Sequence, residues 1–250
     1  MPKAPIKPVE SQNQFRDNGA RNLEVSRNYM QVTDKFYVYL WRDQRENNCN
    51  SVVIDGKVPL LVDPGHERFV PELLDRMHAD GFDPAKIKAV IATHSHPDHL
   101  EGVSKFAGSD VKIGLSREEE KYIEEVGRPM YVQSGLQVPE FSIDFNLQEG
   151  DLTIGKHEFE VLLTPGHSPG SICIFWPRHK ILIAGDVVFM QGVGRADLPG
   201  GDGDKLKESI ERLSKLPVEL LIPGHGPAIQ GAENVKANFD TIKKVYFSML

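Results

Sequence analysis

Residues 93–99 read Thr93-His94-Ser95-His96-Pro97-Asp98-His99, with four potential metal ligands inside six residues. The stretch directly follows Ile87–Ala92, a short apolar run that reads as a buried strand. Residues i and i+2 diverge on a helix, but a tight loop leaving a strand can converge them on one ion. His94 and His96 would then serve one metal. Asp98 and His99, turned through the start of the next helix, could serve a second metal nearby.

Three further pieces repeat this placement: Thr164-Pro165-Gly166-His167, Ala184-Gly185-Asp186 and Pro223-Gly224-His225. Each comes after an expected strand, at His157–Leu163, Lys180–Ala184 and Val218–Ile222 respectively. Strand-end loops bring distant residues to one sheet edge, and Gly and Pro there permit sharp turns. The inventory is five His and two Asp. Neutral imidazole and carboxylate suit Zn(II), Fe(II) or Mn(II). Asp186 could bridge two ions, and a pair roughly 3.5–4 Å apart activates a water without any Ser or Cys nucleophile.

The composition agrees with a metal site in an ordinary globular chain. Of 250 residues, 40% are hydrophobic and 26% charged. The net charge of −7 gives no support to a nucleic-acid binder. Two Cys among 250 residues make no disulfide framework, which fits a reducing compartment. No apolar run approaches the ~20 residues needed to span a bilayer, and the N-terminus lacks a signal-peptide core. The expectation is a cytoplasmic protein with no membrane partner. Residues 1–25, rich in Pro, Asn, Gln and charge, read as a tail or arm, and residues 26–250 as one domain.

The remaining elements follow from residue type, turn signals and helical spacing. Strands are expected at Phe36–Trp41, Ser51–Ile54, Val58–Val62, Val111–Gly114, Leu152–Ile154 and Ser171–Trp176, with Asp55-Gly56 as a hairpin turn. Helices are expected at Phe69–His78, 117–126, Lys205–Leu216 and Glu233–Phe247. Ser116 and Glu119 suggest a capping box, and Glu118-Glu119-Glu120-Lys121 a solvated helix face. Gly127–Asn146 has no clear period and reads as a lid or specificity loop, with Met130, Tyr131 and Phe141 as candidate pocket residues. Two β-rich halves, each ending in helices, suggest two sheets packed between helical layers.

The ordered set His94, His96, Asp98, His99, His167, Asp186 and His225 resembles the metallo-β-lactamase superfamily at all seven of its ligand positions. The resemblance covers roughly residues 30–245. It implies an α/β fold, a four-layer αββα sandwich with two mixed sheets between helical layers and the metals at one edge. It implies that His94, His96 and His167 hold the first ion, that Asp98, His99 and His225 hold the second, and that Asp186 bridges them. The cofactors implied are two divalent metal ions, zinc first, with iron or manganese as alternatives. Asp98 and Asp186 are the expected catalytic carboxylates.

Phe189–Asp202 and Pro223-Gly224-His225-Gly226-Pro227 resemble the corresponding segments of glyoxalase II-like hydrolases, which cleave thioesters such as S-lactoylglutathione. The implied activity is hydrolysis of a small-molecule acyl substrate, a thioester or ester, by a hydroxide held between the ions. Persulfide dioxygenases share the sequence style and use one iron, at the positions of His94, His167 and Asp186. A lactonase, or a metal-binding protein without turnover, are the other readings.

The departures bear on the substrate. Only about 25 residues follow His225, so the C-terminal extension that binds glutathione in full-length glyoxalase II is expected to be missing. Arg195 replaces a Lys that holds the glutathione carboxylate, and keeps an anion contact available unless it pairs with Asp197 or Asp202. Asp197 and Pro227 stand where tyrosines are expected, which leaves another thiol or ester open.

The other histidines read differently. His66 is expected to support its turn, with Asp63 ordering the ligand loops, and His78, His157 and His179 to face solvent. Cys173 reads as core; Cys49 is open between core and reactive. The apolar end Val245–Leu250 could dock on its own domain or on a partner subunit, so a homo-oligomer is possible.

Overall fold

The computed structural model describes residues 29–250 apart from positions 34, 44 and 139. The tail or arm expected at residues 1–25 lies outside the described residues. The first sheet runs in chain order: β1 (Tyr29–Thr33), β2 (Phe36–Tyr39), β3 (Ser51–Ile54), β4 (Leu60–Val62), β5 (Ala89–Ile91), β6 (Lys112–Ser116) and β7 (Phe145–Leu147). Pairing is antiparallel from β1 to β4 and parallel from β4 to β7.

The second half supplies β8 (Gly150–Ile154), β9 (His157–Leu163), β10 (Ile172–Trp176), β11 (Ile181–Gly185), the ribbon β12 (Val188–Phe189) and β13 (Gly192–Val193), β14 (Leu220–Pro223) and β15 (Ile229–Gln230). The second sheet is ordered β15-β14-β11-β10-β9-β8. β9 and β11 both pair antiparallel with β10, and β14 pairs parallel with β11. The C-terminal ends of β9, β11 and β14 therefore share one edge.

Alternation along the strands builds the layers. Phe36, Val38, Val52 and Ile54 point into a core between the sheets, against Phe159, Ile174 and Trp176. Tyr37, Tyr39 and Val53 point the other way, under Leu73 and Met77 of α1 (Val70–Ala79). On the outer face of the second sheet, Cys173, Phe175 and Leu182 pack with Leu206, Ile210 and Leu213 of α5 (Gly203–Leu213). The same cluster includes Val235, Phe239 and Ile242 of α6 (Ala232–Tyr246). Helix, sheet, sheet and helix stack as four layers, the αββα sandwich expected from the sequence.

Several expectations are corrected. Asp55-Gly56 does not close a two-residue hairpin. Ile54 pairs with Leu60, so the connection runs from Asp55 to Pro59, and the Asp55 amide is bonded instead to the Lys35 carbonyl at 2.7 Å. Gly127–Asn146 is not a structureless loop. After α2 (Pro97–Leu100), helix α3 (Arg117–Tyr122) passes through a π-turn, Ile123–Gly127, into α4 (Arg128–Gln133). Pro129 has no N–H to offer a carbonyl one turn back, which suits a locally widened helix.

The expected solvated face 118–121 fails at Glu119, which is fully buried. Ser116 Oγ does accept from the Glu119 amide at 3.2 Å, but the Glu119 carboxylate turns inward, so only half of the capping box forms. His157 and His179 are half-buried against Trp176, with ring centroids 5.1 and 4.2 Å away. His78 is exposed as expected. Both Cys are buried, and burial pushes the Cys173 thiol up to about 12. The apolar C-terminus folds onto its own domain: Tyr246, Phe247 and Leu250 pack on the α5–α6 core. Among the described residues, no helix is long and apolar enough to cross a membrane.

Candidate metal centre

Five loops meet at the shared edge: those after β4 and β5 of the first sheet and after β9, β11 and β14 of the second. The β5 loop carries His94 and His96, and Pro97 then opens α2, where its missing N–H is tolerated. That short helix turns Asp98 and His99 back toward the centre. His167, Asp186 and His225 arrive from the other sheet, so all seven residues singled out in the sequence are brought together.

Three potential ligand sets emerge, each with its donor atoms within 4.8 Å of one another: His94, His96 and His167; His94, His99 and Asp186; Asp98, His99 and His225. Nitrogen ligands about 2.1 Å from a tetrahedral ion lie roughly 3.4 Å apart, so these spacings suit a divalent metal. His96 Nδ1 is 2.8 Å from His167 Nε2, and His99 Nε2 is 3.4 Å from His225 Nε2. Asp186 lies between the outer sets, with Oδ2 3.6 Å from His167 Nε2 and 3.4 Å from His225 Nε2, and Oδ1 3.1 Å from His99 Nε2.

Unpartnered polar atoms also point to a cation. His94 Nε2 and His96 Nε2 are buried without a hydrogen-bond partner, and Asp186 Oδ1 is buried with His99 Nε2 3.1 Å away. Unsatisfied groups of this kind cost about 1–3 kcal/mol each, a cost that ligation relieves where the atom faces the ion. No side chain fits at Gly224: a Cβ there would lie 2.0 Å from Asp186 Oδ1 and 2.7 Å from His99 Cε1.

The candidate ligands are held from behind. His99 Nδ1 lies 3.0 Å from Asp63 Oδ2, and His167 Nδ1 donates to the Arg195 carbonyl at 2.7 Å. Both bonds leave Nε2 facing the centre. Asp63 has φ +54°, a left-handed conformation that Asp tolerates. Its Oδ1 accepts from the Thr93 amide at 2.7 Å and its Oδ2 from the Thr93 hydroxyl at 2.9 Å. Asp63 thus orders the ligand loop, the role expected of it. His66 pairs through Nδ1 with Glu101 Oε2 at 2.6 Å and lies outside the three ligand sets.

The asparagines of Asn47-Asn48-Cys49-Asn50 join the site without belonging to any of its sequence motifs. Asn47 Nδ2 donates to Asp98 Oδ2 at 2.8 Å. Asn48 Oδ1 accepts from the His66 amide at 2.7 Å. Asn50 Nδ2 bonds the carbonyls of Pro223 and Gly226 at 2.9 and 2.8 Å, fastening the loop of His225. Three amide side chains crowded before a buried strand were the available signal.

Burial, then the neighbouring imidazoles, hold His94 well below the usual range; burial and His167 take His96 to about 4. Both are neutral, ligand-ready bases. Burial opposes charge on Asp98, but the His225 hydrogen bond and His99 outweigh it and lower the carboxyl to about 2. Burial also disfavours charge on His225, yet Asp186 and Asp98 raise it to about 9. The metal-free centre therefore carries a proton on His225 at neutral pH. An ion taken by His225 would have to displace it, so apparent affinity is expected to rise between pH 7 and 9, about tenfold per pH unit per proton released. Calorimetry in two buffers of different ionisation enthalpy checks this; a pH-independent affinity would contradict it.

The centre opens into a cleft of about 1190 Å³. Met130, Leu136, Phe189 and Val193 give it apolar wall; Arg68, Lys105 and Arg195 bring cations to its lining. Tyr131 and Phe141 are not part of that lining; the Tyr131 hydroxyl bonds the Ser95 carbonyl at 3.0 Å. Arg195 forks onto Asp197 with two contacts of 2.9 Å and is exposed.

A family model described as the metallo-beta-lactamase superfamily matches residues 45–225. The hydroxyacylglutathione hydrolase GloC of Haemophilus influenzae is 33% identical over 189 residues, 72% of this chain and 86% of that protein. The probable metallo-hydrolase YqgX of Bacillus subtilis is 33% identical over 173 residues, 67% of this chain and 80% of that protein. The crystal structure of TTHA1623 in a di-iron-bound form superposes with a TM-score of 0.62 at 33% identity. It covers 73% of this chain and 89% of that one.

Proposed function

The chain belongs to the metallo-β-lactamase superfamily, and from that premise we propose that it hydrolyses a small thioester or ester at a centre of two divalent metal ions. The observation that carries this reading is the convergence of five His and two Asp at the floor of one large cleft. Two relatives support it by name, a hydroxyacylglutathione hydrolase and a probable metallo-hydrolase. His94, His96 and His167 would hold one ion, Asp98, His99 and His225 the other, and Asp186 would serve both.

When bound, such ions supply a hydroxide near neutral pH and stabilise negative charge developing on an acyl oxygen. The chain's own groups do the rest. Asp98 and Asp186 are held as carboxylates, and Asn47 orients Asp98 through Oδ2. Asp63 and the Arg195 carbonyl fix the ring orientations of His99 and His167. Met130, Leu136 and Phe189 offer an apolar wall for the acyl or thiol moiety. A thiolate departs without a proton donor, which favours thioesters over alkyl esters.

A panel of acyl thioesters, esters and lactones, assayed with metal-replete protein, tests the proposal. Release of free thiol is the expected result. No turnover of any panel member, or oxygen uptake with a glutathione persulfide in its place, would overturn it.

A further inference from the structure

We propose that Glu119 is a positioning residue of the metal centre, its buried carboxylate tying the loop of His94 and His96 to the loop of His167. The inference rests on the reading that these three histidines hold one ion.

Glu119 lies in the opening turns of α3 and is fully buried. Its Oε2 accepts from the Ser95 amide at 2.9 Å and from the Ser95 hydroxyl. Its Oε1 accepts from the Ser168 hydroxyl at 2.5 Å and from the Gly170 amide at 2.7 Å. Each oxygen takes two donors, and each serves a different loop. Ser95 stands between His94 and His96; Ser168 follows His167. Among the described residues no cation pairs with this carboxylate, so the four donors are what offset its burial.

The surroundings are built around this bridge. The Ser116 hydroxyl donates to the Gly170 carbonyl at 2.7 Å. A Cβ on Gly170 would lie 2.6 Å from both the Glu119 amide nitrogen and Ser116 Oγ, so the His167 loop abuts the helix start with no spare room. The Tyr131 hydroxyl takes the Ser95 carbonyl, so Ser95 is held at its amide, hydroxyl and carbonyl by the α3–α4 segment.

The consequence is geometric. His96 and His167 come from different sheets, 71 residues apart, and their ring nitrogens approach to 2.8 Å. That approach depends on how the two loops sit relative to each other; the Ile172 amide joins their ends through the Thr93 carbonyl at 2.9 Å, and the Glu119 side chain binds both beside the histidines. A glutamine in its place presents an NH₂ to donors at one of the two oxygen positions. The loops would then part unless the ion itself drew them together, and affinity would fall. Partners of metal ligands typically contribute 10–100-fold to affinity.

The test is a Co(II) titration of the metal-free full chain, followed by visible absorption and calorimetry. For Glu119→Gln we expect the site of His94, His96 and His167 to weaken about 10–100-fold. The site of Asp98, His99 and His225 should stay near its unaltered affinity, and the exposed neighbour variant Glu118→Gln should match the unaltered protein. A folded Glu119→Gln protein that loads both sites normally would overturn the proposal. Should that variant not fold, Ser95→Ala and Ser168→Ala each remove one donor from a different loop. Weakening of the same site by both supports the bridge, and normal loading by both refutes it. An unaltered protein that binds no Co(II) at these three histidines would instead sink the underlying ligand reading.

Discussion

Asp186→Ala is expected to lower thioester hydrolysis at least about a thousandfold, since ion-supplied stabilisation of this kind amounts to several kcal/mol. The carboxylate sits against ligands of both outer sets, within 3.6 Å of His167 Nε2 and 3.4 Å of His225 Nε2. It is also the first group that holds His225 protonated in the metal-free centre, so that proton should come off nearer neutral pH in the variant. The loop after β11 is anchored by Ala184 and Val187, both fully buried, and the fold should survive. Steady-state kinetics with metal analysis give the readout. Activity within tenfold of the unaltered protein would remove Asp186 from the role assigned to it.

Trp176→Ala should act on stability and leave the chemistry alone. Trp176 is buried between the sheets, with ring centroids 5.6 Å from Phe36 and 5.2 Å from Phe159. Loss of a buried aromatic costs about 3–5 kcal/mol, which in a domain of this size lowers Tm by roughly 10 °C. The residue pairs with Ile181 at the start of β11, whereas Asp186 follows that strand's end. The site is therefore at the opposite edge, and kcat per folded molecule should be unchanged at 25 °C. A shift in Tm below about 3 °C would mean that this layer does not depend on the indole.

What was legible in the sequence was whatever local pattern controls. Aromatic and β-branched runs such as Phe36–Trp41 and helical spacing such as Leu206, Ile210 and Leu213 mark the elements of the layers. The seven ligand candidates stood out because each follows a strand on a short loop. What stayed hidden depended on distant partners. Glu119 lies in an acidic run that looks solvated, and only the arrival of Ser95, Ser168 and Gly170 from elsewhere buries it. Asn50 acquires its role from Pro223 and Gly226, more than 170 residues away. The π-turn before α4 was masked by Gly127 and Pro129, which break the period a helix is recognised by.

Counting metal against activity tests whether His94, His96, Asp98, His99, His167, Asp186 and His225 build a two-metal hydrolytic centre. Metal-free protein would be titrated with a divalent ion while thioester hydrolysis and elemental content are followed together. The expected result is two ions bound per chain, with hydrolysis reaching its plateau as the second is filled. Saturation at one ion per chain, or full hydrolysis with none, would contradict it.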